Sequence, residues 1–143
     1  MGAWCLVKFN LPSKVIIETQ ALELLPSLIE SYNCHSVLFV TDPNIYNIYG
    51  KNLEKTLQEI VNVSRFLITA SDMTNVEGAR EIARKLEACI VVGMGGGRPI
   101  DVAKYVAFLE NKPFISVPTA ISHDGFASPI VSLKDKDLNP MSL

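Results

Sequence analysis

Histidine occurs only twice and cysteine three times in the 143 residues, and none of them forms a CxxC or CxxH pair. A zinc site of ordinary spacing is therefore not on offer. Cys5, Cys34 and Cys89 are odd in number and far apart, so they do not read as a disulfide framework. Cys89 lies in the run Ala88-Cys89-Ile90-Val91-Val92 and reads as an inert core residue. The expected setting is reducing and cytoplasmic. Long apolar runs are missing too: nothing approaches the roughly 20 residues of a spanning helix. Met1-Gly2-Ala3-Trp4-Cys5 lacks the basic flank of a signal peptide, and Leu6 stands where a myristoylation signal needs Ser or Thr. A soluble, unanchored chain is expected, with no membrane partner. Basic stripes are also absent. Thirteen Lys and Arg against 15 Asp and Glu leave a net charge of −2, which argues against a nucleic-acid partner.

What is present is apolar enough to fold. At 48% hydrophobic and 20% charged residues, the chain has the material for one globular domain over residues 1–143. Short β-branched runs alternate with helical patterns: Val15-Ile16-Ile17, Val37-Leu38-Phe39-Val40, Phe66-Leu67-Ile68, Cys89-Ile90-Val91-Val92 and Phe114-Ile115-Ser116-Val117. This alternation predicts an α/β fold, a Rossmann-like parallel sheet with helices on both faces.

Four helices are expected between these strands. One runs from Ala21 to Tyr32, with Pro26 marking a kink or restart. A second opens at Asp42-Pro43, Asp capping and Pro in the first turn, breaks at Gly50 and resumes through Leu53, Leu57 and Ile60. A third begins at a Thr74-Asn75-Val76-Glu77 capping box and carries the stripe Val76, Ala79, Ile82, Ala83 and Leu86. The fourth spans about Arg98 to Leu109. After Pro118 the pattern loosens, and Ile130-Val131-Ser132-Leu133 before Lys134-Asp135-Lys136-Asp137 reads as a strand entering a turn. The sequence then ends abruptly at Leu143.

Two segments carry chemistry. Gly93-Met94-Gly95-Gly96-Gly97-Arg98-Pro99-Ile100-Asp101 joins a buried strand directly to a helix. Glycines there admit positive φ and close approach, and the free amides and dipole of the helix favour an anion. The physical reading is a diphosphate cradle at the carboxyl end of a parallel strand. The alternative is a tight turn whose glycines only permit packing. The segment is not a GxGxxG fingerprint, because Arg98 stands three after Gly95, and it follows the fourth expected strand instead of the first. Asp101 and Lys104, three apart, read on spacing alone as a weak surface pair.

The second segment, Val117-Pro118-Thr119-Ala120-Ile121-Ser122-His123-Asp124-Gly125-Phe126-Ala127-Ser128-Pro129, follows the next strand at the same sheet edge. Thr119 and Ser122 can donate to a cofactor, and Asp124 can accept from substrate hydroxyls. Equally, Asp124 or Ser128 can serve as a helix cap. His123 has no partner at ligand spacing and makes a poor metal ligand, and His35 reads as a surface residue.

Together, Gly-Gly-Gly-Arg-x-x-Asp-x-Ala-Lys and Val-Pro-Thr-x-x-Ser-His-Asp-Gly-x-Ala-Ser-Pro resemble the glycerol-1-phosphate dehydrogenases. Their superfamily also holds glycerol dehydrogenase, iron-dependent alcohol dehydrogenases and dehydroquinate synthase. The resemblance runs through essentially the whole chain, with its specificity in residues 93–104 and 117–133. It implies that Gly95, Gly96 and Gly97, with Arg98 and the turn through Asp101, hold the diphosphate of NAD or NADP. Thr119, Ser122 and Ser128 would line the rest of the dinucleotide, Asp42 would meet the adenosine ribose, and Asp124 would touch the substrate. The implied reaction is hydride transfer from NAD(P)H to dihydroxyacetone phosphate, giving sn-glycerol 1-phosphate for phospholipid biosynthesis. A zinc ion would polarise the substrate oxygen.

Two departures bear on this. Family members are about twice as long or more, with a helical C-terminal domain that supplies the metal ligands, an Asp and two His. Those ligands are therefore expected beyond Leu143, and the 143 residues alone are expected to lack the metal site, to hold no catalytic residue and to be inactive. An exposed face left by that domain would favour a homo-oligomer. In addition, Glu18-Thr19-Gln20 stands where the family has a glycine-containing turn after the first strand. Alternative expectations are another substrate within the superfamily, such as glycerol or a sugar phosphate cyclised by a synthase, and a non-catalytic nucleotide-binding module.

Overall fold

A computed structural model describes residues 16, 20–119 and 131–142. Four parallel strands form one sheet in the order β2-β1-β3-β4: β1 (Ser36–Thr41), β2 (Asn62–Leu67), β3 (Ile90–Gly95) and β4 (Phe114–Pro118). β5 (Ser132–Lys134) and β6 (Pro140–Ser142) make a separate antiparallel hairpin. The expected strand after Pro118 is thus the first arm of that hairpin, and a second arm, β6, follows the turn and runs to Ser142. Leu143 lies outside the described residues. The expected strand at Val15-Ile16-Ile17 lies largely outside them too, and Ile16 itself has no regular structure. Gln20 takes a left-handed conformation, φ 65°, the geometry for which a glycine would be the usual choice.

The continuous apolar runs resolve into two buried faces. Leu38, Val40 and Val91 pack toward α4 (Met73–Leu86) and α5 (Gly97–Leu109), against Val76, Ala79, Ala83, Val102, Ala103 and Val106. Val37, Phe39, Ile90, Val92 and Met94 pack on the opposite side, against Leu25 and Ile29 of α1 (Leu25–Ser31) and Leu53 and Leu57 of α3 (Lys51–Gln58). The expected fold class is the observed one.

Three local expectations are corrected. α4 is capped by Asp72, whose Oδ1 accepts from the Asn75 amide at 2.8 Å, and Thr74 is already helical. Glu77 pairs with Lys136 at 3.2 Å instead of reaching back to Thr74. Gly50 does not break its helix. After the short α2 (Pro43–Ile45) the chain widens into a π turn, Tyr46–Gly50, and runs on into α3.

The third correction concerns cysteine. Cys34 and Cys89 are joined in a disulfide with Cα atoms 5.8 Å apart. Both precede strands, β1 and β3, that lie side by side, so parallel pairing brings together residues separated by 55 positions. Cys89 is not an inert thiol, and the cysteines give no support to a reducing compartment. Among the described residues no helix is long and apolar enough to cross a membrane.

Candidate nucleotide site at the switch point

From β1 the chain crosses to β2 on one side, then returns to place β3 on the other side of β1. The carboxyl ends of β1 and β3 therefore face a crevice with crossover helices diverging from it, the place where open α/β sheets take up ligands. Asp42 follows β1 and Gly95-Gly96-Gly97 follows β3, so the topology alone brings these two candidates together. The Thr41 hydroxyl donates to the Met94 carbonyl at 2.8 Å and ties the two strand ends.

Gly93, Gly95 and Gly96 differ in their surroundings. At Gly93 an added Cβ would stand 2.7 Å from the Ala103 Cβ, so this glycine lets α5 lie against β3. Gly95 has φ 137°, and a Cβ there would meet Pro99 Cγ at 2.6 Å and Asp42 Oδ2 at 3.2 Å. Its space is already filled by protein. At Gly96 a Cβ would meet no atom of the described residues within 4 Å. Among the described residues nothing covers this position.

The amides beside that opening are taken up by no other described group. Gly96 caps α5, and the first N–H groups of a helix have no intrahelical acceptor. Among the described residues, the amides of Gly96, Gly97 and Arg98 donate to no other group. Pro99, in the first turn, has no amide to leave unsatisfied. Arg98 is exposed at the same place. The arrangement offers main-chain donors, a helix dipole and a cation to an anion at one spot.

Asp42 is only partly free for a ligand. Its Oδ1 accepts from the Ile45 amide at 3.0 Å, capping α2 as the sequence predicts. Its Oδ2 leans over Gly95, and the Ile45 side chain lies beside the same point, 3.7 Å from a Gly95 Cβ. Thr119 sits next to the turn, its amide donating to the Gly95 carbonyl at 2.9 Å. Ser122, His123, Asp124 and Ser128 lie outside the described residues. His35 is exposed.

Asp101 reaches the hairpin. Its Oδ2 accepts from the Ser132 amide at 3.1 Å, pinning the β5–β6 hairpin to α5. The same hairpin reaches the β2–α4 loop, where the Ser71 hydroxyl donates to the Ser132 carbonyl at 3.0 Å. Lys104 Nζ stands 3.9 Å from Asp101 Oδ1, with the two side chains only 12% and 13% exposed, so this is not the surface pair that spacing suggests. Burial pushes the Lys104 ammonium below its usual pKa, and Asp101 opposes the shift.

One cluster beside the site is not recognisable in the sequence. Tyr46 Oη donates to Glu54 Oε2 at 2.6 Å, and Arg65 Nη1 donates to both. The hydrogen bond to Glu54, burial and the Glu54 charge hold the Tyr46 hydroxyl above its usual pKa, while Arg65 pulls it down. Gly50 is the available signal, but on its own it reads as a helix breaker. Among the described residues no group of three or more His, Cys, Asp or Glu is gathered to hold a metal ion. The expectation that metal ligands lie beyond Leu143 concerns residues outside this sequence, and the 143 residues do not test it.

Comparison with known proteins gives the family and the fold. The chain is 49% identical over 137 residues to a glycerol-1-phosphate dehydrogenase [NAD(P)+] of Thermofilum pendens, an alignment covering 96% of the chain and 39% of that relative. It thus spans about two fifths of the relative's length. Among solved structures, NADH-dependent butanol dehydrogenase A of Thermotoga maritima superposes with a TM-score of 0.84 at 17% identity, over 95% of this chain and 40% of that one. Sulfoacetaldehyde reductase of Bifidobacterium kashiwanohense, in complex with NAD+, gives 0.81 at 20% identity, over 98% and 43%. These two share the fold. Residues 16–143 match the model of the iron-containing alcohol dehydrogenase family, and the chain belongs to that family.

Proposed function

We propose that this chain is the dinucleotide-binding part of an NAD(P)-dependent sn-glycerol-1-phosphate dehydrogenase, which reduces dihydroxyacetone phosphate in the cytoplasm. The observation that carries the reading is the open face of Gly96 at the switch point, beside amides of residues 96–98 that no described group consumes. A diphosphate fits there because its oxygens are acceptors only and its charge matches both the helix dipole and Arg98. The name carried by the 49%-identical relative supports the substrate, and its bracketed NAD(P)+ supports the cofactor.

On this reading the glycine turn and Arg98 hold the diphosphate, Asp42 borders the adenosine ribose, and Thr119, Ser122 and Ser128 line the remaining path. Asp124 meets the substrate. Asp101 contributes by fixing the hairpin to α5. The zinc implied by the resemblance would be held beyond Leu143, by a helical domain. When bound, a nicotinamide cofactor supplies the hydride, and the residues here supply its position. The partners proposed are a phosphorylated small molecule and a second copy of the protein, with no nucleic acid.

Two measurements test this. Titration of NADH with the 143-residue chain, read by cofactor fluorescence, should show saturable binding that is lost in Gly96→Val. Emission unchanged at millimolar NADH would refute the cradle. In the full-length gene product, turnover of dihydroxyacetone phosphate should far exceed that of unphosphorylated dihydroxyacetone. The opposite preference would keep the family and discard the substrate.

A further inference from the structure

The turn that carries Asp42 is braced from two elements away. The Tyr46 amide donates to the Asp42 carbonyl at 2.9 Å, and the Ile45 amide to Asp42 Oδ1 at 3.0 Å, so residues 42–46 form one compact unit beside Gly95. Tyr46 is the last member of that unit and the first of the π turn. Its hydroxyl is bonded to Glu54, which is only 6% exposed. Arg65, on β2, reaches Glu54 Oε1 and Oε2 at 3.2 and 3.0 Å and Tyr46 Oη at 2.9 Å, with its guanidinium carbon 4.8 Å from the Tyr46 ring centre. A Cβ on Gly50 would meet Tyr46 Cδ2 at 2.8 Å, so the glycine leaves room for the ring to lie across the helix.

An ion pair with one buried partner contributes little net stability, because desolvation offsets the attraction. A glycine within a helix also costs helix stability. What the combination provides is a fixed position for Tyr46, and through it for the Asp42–Ile45 turn. π turns recur at functional sites because they re-aim the residues around them.

We propose that Arg65 is a positioning residue for dinucleotide binding, acting through Glu54 and Tyr46 to hold the Asp42–Ile45 turn against the glycine turn. Arg65 itself stands on the edge strand β2 and is bound to the clamp, so its effect on the cofactor is indirect. The inference rests on the dinucleotide reading of the crevice. It predicts that the clamp sets affinity at the Asp42 side without contributing a ligand contact of its own.

The test combines amide exchange with NADH titration on the wild type, Arg65→Met, Tyr46→Phe, Asp42→Asn and the Arg65→Met/Asp42→Asn double variant. Arg65→Met should speed exchange of the Ile45 and Tyr46 amides by about tenfold or more, with the β3 amides unchanged. It should weaken NADH binding by about fivefold, and in the Asp42→Asn background it should cost nothing further. Tyr46→Phe, which keeps the ring, should move both readouts the same way by less. Unchanged exchange at Ile45, unchanged NADH affinity despite faster exchange, or an additive loss in the double variant would each overturn the proposal. Should Arg65→Met fail to fold, Tyr46→Phe gives the same decision against the same two readouts. A wild-type chain that takes up no NADH refutes the dinucleotide reading, and the positioning role with it, whatever the variants do.

Discussion

Asp42 Oδ2 lies 3.2 Å from the point where a Cβ on Gly95 would stand, so the carboxylate after one central strand roofs the glycine after its neighbour. The Pro99 ring closes the same space from the helix side, at 2.6 Å. Gly95→Ala therefore meets a positive φ and two filled contacts at once. The expected cost is about 3 kcal/mol, from backbone strain plus overpacking, measured by urea unfolding. A variant as stable as the wild type would show that the strand ends can part.

Gly96→Ala should behave in the opposite way. Its φ of −81° suits any residue, and the new methyl meets no atom of the described residues within 4 Å. Stability should change by less than about 0.5 kcal/mol, as at a surface site. NADH affinity should fall at least about tenfold, since the methyl occupies the approach to the amides. The pair of variants separates a glycine kept for packing from one kept for a ligand.

Much of the fold is legible in the residues, and the misreadings share a cause. The runs at Val37–Val40, Cys89–Val92 and Phe114–Val117, and the stripe from Val76 to Leu86, announce themselves because period and apolarity are local properties. Asp42 as a cap and Pro43 beside it are local too, and both are observed. The Cys34–Cys89 bond is not local. It exists because β3 returns to the side of β1, which no spacing rule reveals. The Asp101–Lys104 pair reads as solvated because the hairpin contacting Asp101 lies 31 residues later. Asp72 is hidden as the cap because Thr74 and Glu77 fit a stronger-looking motif. At the site, the meeting of Asp42 with Gly95 follows from strand order, whereas the roles of Ser122, Asp124 and Ser128 rest on resemblance.

Reducing the Cys34–Cys89 bond, or replacing either cysteine by Ser, should lower unfolding free energy by about 4 kcal/mol, the chain-entropy value for a 55-residue separation. NADH affinity should hardly change, because the bond sits at the amino ends of the strands, away from the crevice. Denaturation with and without dithiothreitol, paired with titration, checks both halves. A large loss of affinity in folded, reduced protein would mean that the two sheet edges are coupled.

Glu110 accepts from Arg80 Nε at 2.7 Å and from Arg84 Nε at 3.1 Å, joining the end of α5 to α4. The Arg80 hydrogen bond, helped by Arg84 and opposed by partial burial, holds its carboxyl below the ordinary value of 4.5. Because the folded value is depressed, this stabilisation is complete above pH 4.5 and drains away as pH falls through the lower folded value. Glu110→Gln should cost about 1 kcal/mol at neutral pH, since Arg84 is largely exposed, and should flatten that part of the acid limb. Identical pH profiles for the two proteins would remove Glu110 from the account.

Asp101→Ala should loosen the hairpin and take the Asp101 carboxylate away from Lys104. A loss of about 1–2 kcal/mol is expected for the broken charged hydrogen bond, with faster amide exchange at Ser132. An unaltered exchange rate at Ser132 would show that the hairpin's other contacts, to Ser71 and Glu77, hold it without Asp101.

Pro99 gives the crevice a handedness. A helix of ordinary sequence would present a ring of donors around its first turn, open to an anion from several directions, but the imino acid deletes one donor and its ring blocks the flank beneath Gly95. The first-turn donors that remain are the amides of Gly96, Gly97 and Arg98, taken up by no described group, and on the dinucleotide reading a diphosphate would be met by these three alone.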